Sequence, residues 1–291
     1  MLMLSERTLG STTKQFPIVI VWMAGALLSF LTMGISGREL SVELEPHHIS
    51  LYRNAVCLLL LLPFVLRAGW HSVATRQIGW HTIRNSVHFF AQWCWFFGLG
   101  ALPLAEVFAI EFTMPIWTAL LASTFLGERL TTTRLIAIAL GFAGILVILR
   151  PGIAIIHPAS IVVLGAAIGY AVSYVLTKRL VASNSPLTIL FWMNIVQLPI
   201  GGLLSIGNLT IPSMTLWPWI LAVGIAGLTS HYCISRALQL ADATVVVPLE
   251  FLRLPLAAVT AWLVYEEALN PFVLGGALFI LAGNWINVKR G

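Results

Sequence analysis

The chain has 291 residues, 59% of them hydrophobic and only 9% charged, with a mean hydropathy of +0.93. Soluble domains carry about 45–50% apolar and about 25% charged residues, so this composition excludes a soluble enzyme, a nucleic-acid-binding protein and a disordered chain. The net charge of +5 is scattered in ones and twos, a pattern that fits membrane topology better than a polyanion-binding face.

Residues 1–15 contain no apolar signal-peptide core and read as a cytoplasmic tail. The hydrophobic segment that follows is long enough to span and lacks a cleavage site, so it is expected as a retained first helix. A spanning helix needs about 20 mainly apolar residues. Ten segments qualify: Phe16–Ser36, His47–Leu66, Trp80–Leu99, Leu104–Leu126, Thr132–Leu149, Ala159–Lys178, Pro186–Ile206, Leu216–Leu238, Thr244–Tyr265 and Pro271–Val288. Pro103, Pro158, Pro186 and Pro271 stand at helix starts, where a missing N–H costs least. Pro115, Pro199, Pro248 and Pro255 fall inside spans and should kink them. Cys57, Cys94 and Cys233 lie in apolar runs without metal or disulfide spacing and read as small core residues.

With the N-terminus inside, eleven basic residues fall in cytoplasmic segments (Arg7, Lys14, Arg67, Arg76, Arg129, Arg134, Lys178, Arg179, Arg236, Lys289, Arg290) and two outside, Arg38 and Arg150. Glu39, Glu43, Glu45, Glu266 and Glu267 fall outside as well. The positive-inside bias therefore predicts both termini in the cytoplasm.

A shift of 139 residues aligns Trp80–Gly152 with Trp219–Gly291 without a gap. The matches include Trp80/Trp219, Cys94/Cys233, Glu111/Glu250, Glu128/Glu267 and Gly144/Gly283. The two glutamate pairs carry the weight, because the chain has only eleven acidic residues. Five spans per copy is an odd number, so the second copy should sit inverted in the membrane. The expected fold is thus all-α, with ten transmembrane helices as two inverted five-helix repeats, 16–152 and 153–291. Inverted repeats let a midplane site open to either side, as secondary transporters require, although duplication can also simply build a stable bundle.

Ten helices in two halves, Gly127-Glu128-Arg129-Leu130 after the fourth span and Glu266-Glu267 after the ninth resemble the EamA-type drug/metabolite transporter superfamily. Arg53 with Leu62-Pro63-Phe64, Arg84 opening the third span, Ala241-Asp242-Ala243-Thr244 and the glycine-rich fifth and tenth spans fit the same family. The resemblance extends over essentially the whole chain and is nearest to a bacterial group that includes S-adenosylmethionine and riboflavin carriers. It implies an inner-membrane carrier without ATP, moving a small metabolite such as an amino acid or cofactor; no Walker motif is present.

Within the spans lie Arg53, Arg84, Glu106, Glu111, Glu250 and Arg253. An ionisable group at the bilayer centre costs about 2.5–3.5 kcal/mol on insertion scales and normally faces a partner or a cavity. At about 1.5 Å per residue, Arg53 and Glu111 lie at matching depths near the outer face, and Arg84 and Glu250 both lie on the cytoplasmic side. Two pseudo-symmetric ion pairs, Arg53–Glu111 and Arg84–Glu250, are an economical reading: structural, gating, or for the glutamates proton-coupling. Arg253, near the middle of the ninth span between Pro248 and Pro255, has Met114 as its repeat equivalent. It is the best single candidate for binding an anionic substrate group, with an internal pair to Glu250 as the alternative.

Asn85, His88, Gln92 and Trp95 recur at spacings of three, four and three, which puts them on one helix face. That face should border a water-accessible cavity, opposite His231 in the eighth span and joined by Tyr170, Ser173, Tyr174 and Thr177 from the sixth. Trp22, Ser29 and Ser36 of the first span are expected as further lining. His88 and His231 could equally bond a neighbouring helix, and Trp93, Phe89, Phe90, Phe96 and Phe97 read as lipid-facing or packing residues. Trp80, Trp217, Trp219 and Trp285 suit interfacial belts. No cofactor and no metal site are expected. Ala137–Gly141 and Gly275-Gly276 with Gly283 suggest close helix packing or a homodimer contact through the fifth and tenth spans. Glu128 and Glu267 should cap the helix that follows each. The partners are then a small-molecule substrate and the lipid bilayer. An intramembrane enzyme acting on lipid or isoprenoid is the competing class, without an Asp-rich metal motif or Ser/His pair to support it.

Overall fold

The computed structural model describes residues 6–128, 130–149, 157–266 and 271–290. Among the described residues every regular element is helical. In a bilayer each backbone N–H and C=O must find its partner within the protein, and a helix satisfies them within one segment. The elements are α1 (Glu6–Leu40), α2 (Pro46–Ala68), α3 (Ile78–Ala101), α4 (Leu104–Glu111), α5 (Met114–Phe125), α6 (Thr132–Leu149), α7 (Pro158–Leu180), α8 (Pro186–Leu204), α9 (Trp217–Leu240), α10 (Ala243–Leu249), α11 (Arg253–Tyr265) and α12 (Pro271–Arg290). Among the described residues five stretches are long and apolar enough to cross a membrane: Phe16–Leu40, Pro46–Ala68, Glu106–Phe125, Pro158–Leu180 and Pro186–Leu204. The 24-residue helices α3 and α9 fall below that level because polar residues such as Asn85, His88, Gln92 and His231 dilute them.

Local chemistry accounts for several boundaries. Pro46, Pro158 and Pro186 each open a helix, and Ser185 Oγ accepts from Thr188 N at 3.1 Å to cap α8. Helix α1 begins ten residues before the expected Phe16, its backbone continuing through the polar stretch from Glu6. The expected fourth span divides: α4 ends at Glu111 and α5 resumes at Met114, with Pro115 unable to donate across the gap. The expected ninth span divides at the equivalent place, a 3-10 turn Glu250–Leu252 separating α10 from α11.

The core forms where α1 packs on α9, α3 on α7, α6 on α12, and α2 on α8 and α9. The small residues of the fifth and tenth spans meet each other within the chain. A Cβ at Gly283 would stand 2.7 Å from the Ala137 carbonyl oxygen, so only glycine permits this approach of α12 to α6. Gly169 on α7 similarly admits Ala91 of α3, its Cβ position lying 2.8 Å from the Ala91 Cβ.

Loops assort to two ends. At one, Ser213 donates from its N and Oγ to Glu43 at 3.1 and 2.8 Å, and Tyr265 Oη donates to Glu39 at 2.9 Å. At the other, Asn184 Nδ2 donates to Gln77 at 2.9 Å, and Asp242 faces Arg134 and Lys178 at 3.4 and 3.8 Å. Glu128 Oε1 accepts from Ala243 N at 3.1 Å. Its carboxylate therefore reaches α10, remote in sequence, across the end of the bundle, a contact that the sequence did not suggest. Arg129, Arg150, Glu267 and the proposed repeat boundary at 152/153 lie outside the described residues.

Candidate functional site

Helix α3 carries Arg84, Asn85, His88, Gln92 and Trp95 as one buried stripe, as 3.6-residue periodicity requires. Across from it α9 presents His231, whose ring lies 4.7 Å from that of His88. Helix α7 adds Tyr170, with its ring 5.4 Å from His88, and Tyr174 one turn on. Together these enclose a cavity with about 360 Å³ of non-atom space, the adjoining open volume included. Of the sequence-derived substrate candidates, His88, Gln92, Trp95, Tyr170, Tyr174, His231 and Arg253 line it. Asn85 does not: it lies behind the wall, accepting from Arg84 Nη1 at 2.7 Å and, through its backbone oxygen, from Gln197 Nε2 at 3.1 Å. Gln92 is wholly buried, and among the described residues its side-chain oxygen and nitrogen both lack a hydrogen-bond partner, leaving both groups available to a bound molecule.

Arg253 and Glu111 line the cavity, with Glu250 next to Arg253 and outside the lining. Arg253 Nη2 donates to Glu111 Oε1 at 2.6 Å and approaches Glu250 Oε2 at 3.6 Å. Glu111 Oε2 also accepts from Trp95 Nε1 at 2.7 Å, and Glu250 Oε1 accepts from the Tyr174 hydroxyl at 3.1 Å. The guanidinium of Arg253 lies 4.5 Å from the Phe30 ring centre and 5.1 and 5.2 Å from those of Phe108 and Phe112, positions that suit cation–π attraction. The two glutamates stand where α4 ends and where the helix between α10 and α11 tightens. The interruptions bring Glu111 to the cavity and Glu250 beside Arg253 and Tyr174.

The two ion pairs expected from depth do not form. Arg53 donates from Nη2 to Asn54 Oδ1 at 2.9 Å and Gln197 Oε1 at 3.0 Å. Arg84 donates from Nη1 to Asn85 and from Nε to Thr177 Oγ1 at 3.0 Å. Among the described residues neither has a carboxylate within 4.0 Å. Depth along a helix says nothing about its rotation, and Arg253 takes both glutamates. Ser29 and Ser36, read as cavity residues, bond to Thr229 Oγ1 and the Thr32 carbonyl and do not line the cavity.

Sequence reasoning missed Gln197, which joins Arg53 to His88 Nδ1 at 2.9 Å, and the apolar lining residues Phe30, Met33 and Met114. A lone glutamine in an apolar span was the available signal for the first. The others have the same character as any core residue.

Comparison with known proteins gives a consistent picture. The model of the EamA-like transporter family matches the chain twice, over residues 17–150 and 157–288. An S-adenosylmethionine uptake transporter of Rickettsia bellii is 25% identical over 273 residues, covering 94% of either chain. A riboflavin transporter of Rhizobium johnstonii is 28% identical over 284 residues, covering 97% of this chain and 94% of its own. A solved crystal structure shares the fold with a TM-score of 0.76 at 17% identity, covering 93% of this chain and 96% of that one.

Proposed function

The chain belongs to the EamA-like transporter family, and from that premise we propose that it carries a small, amphipathic metabolite by alternating access, through the cavity between α3, α7 and α9. It is a multi-pass inner-membrane transporter rather than an enzyme. The observation that carries the mechanism is the group Glu111–Arg253–Glu250. Glu111 belongs to the first stretch matched by the family and the other two to the second, so the buried charges clasp the two halves across the cavity.

In this reading ten spans form two inverted five-helix repeats with both termini cytoplasmic. The twofold family match and the equivalent interruptions at Glu111 and Glu250 support the repeat. The gathering of Arg134, Lys178 and Arg179 at one end of the bundle supports the orientation. Interrupted helices at pseudo-symmetric positions are a recurring way for transporters to build a midplane site.

Two carboxylates sharing one guanidinium can take up one proton and still leave Arg253 paired. That makes the group a gate and a coupling site: substrate and proton compete for, or jointly reorganise, the same three side chains. Aromatic rings of Trp95, Tyr170 and Tyr174 offer stacking to a planar cargo, and the names of the relatives point to cofactor-sized compounds. A homodimer would use the outward face of α6 and α12, where Leu135, Ile136, Leu278 and Phe279 are exposed.

The test is flux into proteoliposomes of S-adenosylmethionine and riboflavin, each with and without an imposed pH gradient, beside an untargeted comparison of metabolites inside and outside expressing cells. Saturable flux of a metabolite that responds to the gradient is expected. Flux indifferent to the gradient refutes the coupling role, and no flux of any metabolite refutes the carrier.

A further inference from the structure

We infer that Arg53 and Arg84 form an anion-binding subsite behind the His88–Gln197 wall of the cavity, and that the cargo carries a carboxylate or phosphate group which this subsite receives. The inference rests on the carrier reading above and adds the charge of the substrate.

Arg53 is wholly buried and Arg84 nearly so, yet their hydrogen-bond acceptors are all neutral: the side-chain oxygens of Asn54, Asn85, Gln197 and Thr177. Such partners aim a guanidinium without neutralising it. Buried charges are normally paired, because desolvation otherwise outweighs what dipoles return. Here two buried cations share no acid among the described residues. Among those residues Nε and Nη1 of Arg53 have no hydrogen-bond partner. Nη1 points at Gly227 of α9, where a Cβ would lie 2.7 Å away, one turn before the cavity residue His231. The arginine that sequence favoured for an anion, Arg253, is by contrast already satisfied by two carboxylates.

The α3 stripe thus runs from a cationic pole at Arg84 to an acidic one at Trp95, whose indole binds Glu111. Eleven residues separate them, about 16 Å at the helical rise. A solute with an anionic group at one end and a cationic or hydrogen-bond-donating group at the other matches that polarity in one orientation only.

Binding is measured on the purified protein in detergent with two probe pairs that differ by the anion: S-adenosylmethionine against its decarboxylated form, and riboflavin 5′-phosphate against riboflavin. The first pair reads a carboxylate, the second a phosphate. In at least one pair the anionic member should bind roughly tenfold to a hundredfold tighter, the margin expected of a charge-assisted hydrogen bond. Arg53→Gln and Arg84→Gln should each erase that margin, whereas Arg53→Lys should keep part of it. Equal affinity within both pairs, no binding of any probe, or a preference that survives both glutamine variants overturns the subsite. Should the glutamine variants not fold, the wild-type pairs decide alone. Flux of the same probes is read in parallel. Flux without anion preference overturns the subsite and leaves the carrier standing; anion-selective binding without flux supports the subsite and counts against the carrier.

Discussion

Replacing Arg253 by methionine tests whether the buried charges act as one unit. Arg253 is 1% exposed, and its side chain stands 2.6 Å from Glu111 and 3.6 Å from Glu250. Methionine keeps the apolar stem and removes the charge, leaving two carboxylates without their cation. Breaking a buried pair from one side typically costs about 3–5 kcal/mol. At about 2–4 °C per kcal/mol for a chain of up to 250 residues, the melting temperature should fall by roughly 6–20 °C. The triple variant R253M/E111Q/E250Q removes the stranded charges too. It should recover most of that loss, because neutral replacement of a whole buried ion group is often neutral or stabilising. Within the group Glu111 should matter more than Glu250: it alone holds Arg253 at hydrogen-bond distance and also takes the Trp95 indole. Thermal unfolding of the purified protein in detergent, scanned at one fixed rate because such unfolding is often irreversible, gives the ordering. An R253M protein as stable as wild type, or a triple variant no better than R253M, refutes the reasoning.

Other consequences are as concrete. Gly283→Val forces α12 away from the Ala137 carbonyl and should cost about 1–3 kcal/mol as overpacking, read as a lower melting temperature; an unchanged value would mean the helices do not meet there. Glu128→Ala removes the acceptor for Ala243 N and should cost about 0.5–2 kcal/mol, with faster hydrogen exchange at the start of α10 as the local signature. Glu43 lies in an exposed loop, where the Ser213 amide and hydroxyl hold its carboxyl below the usual carboxylate range. A depressed value means the loop contact is present above the ordinary carboxylate range and fades as pH falls through the lowered one. Protection of the Ser213 amide should therefore drop in acid and be low at every pH in Glu43→Ala, which removes the acceptor; a pH-independent profile in the wild type contradicts the contact.

How far the molecule could be read in advance follows from what one-dimensional spacing encodes. The spacing of Asn85, His88, Gln92 and Trp95 fixes a shared face, and the structure has that face buried. Spacing also flagged Arg253 as exceptional, through the prolines around it and the failure of its repeat partner Met114 to match. It could not say which acid each base meets. Arg53 and Glu111 share a depth, but pairing also depends on how each helix is rotated, and rotation is set by packing such as Gly227 against Arg53 and Gly224 against Val56. Gln197 escaped because its one nearby polar companion on the helix, Asn194 three residues before it, is too short a pattern to reveal which neighbour that face meets. The division of α4 from α5 was foreshadowed by Pro115, although a proline announces a bend without showing that a glutamate will sit at its rim.

Met114 lines the cavity opposite in kind to Arg253, its counterpart in the 139-residue shift. At this pair of positions the two halves are chemically unequal, one thioether against one guanidinium, so on the inverted-repeat reading the buried charge group favours one arrangement of the halves over the other. Met114→Arg would remove that one source of asymmetry and leave the others, such as Gln92 against His231, in place.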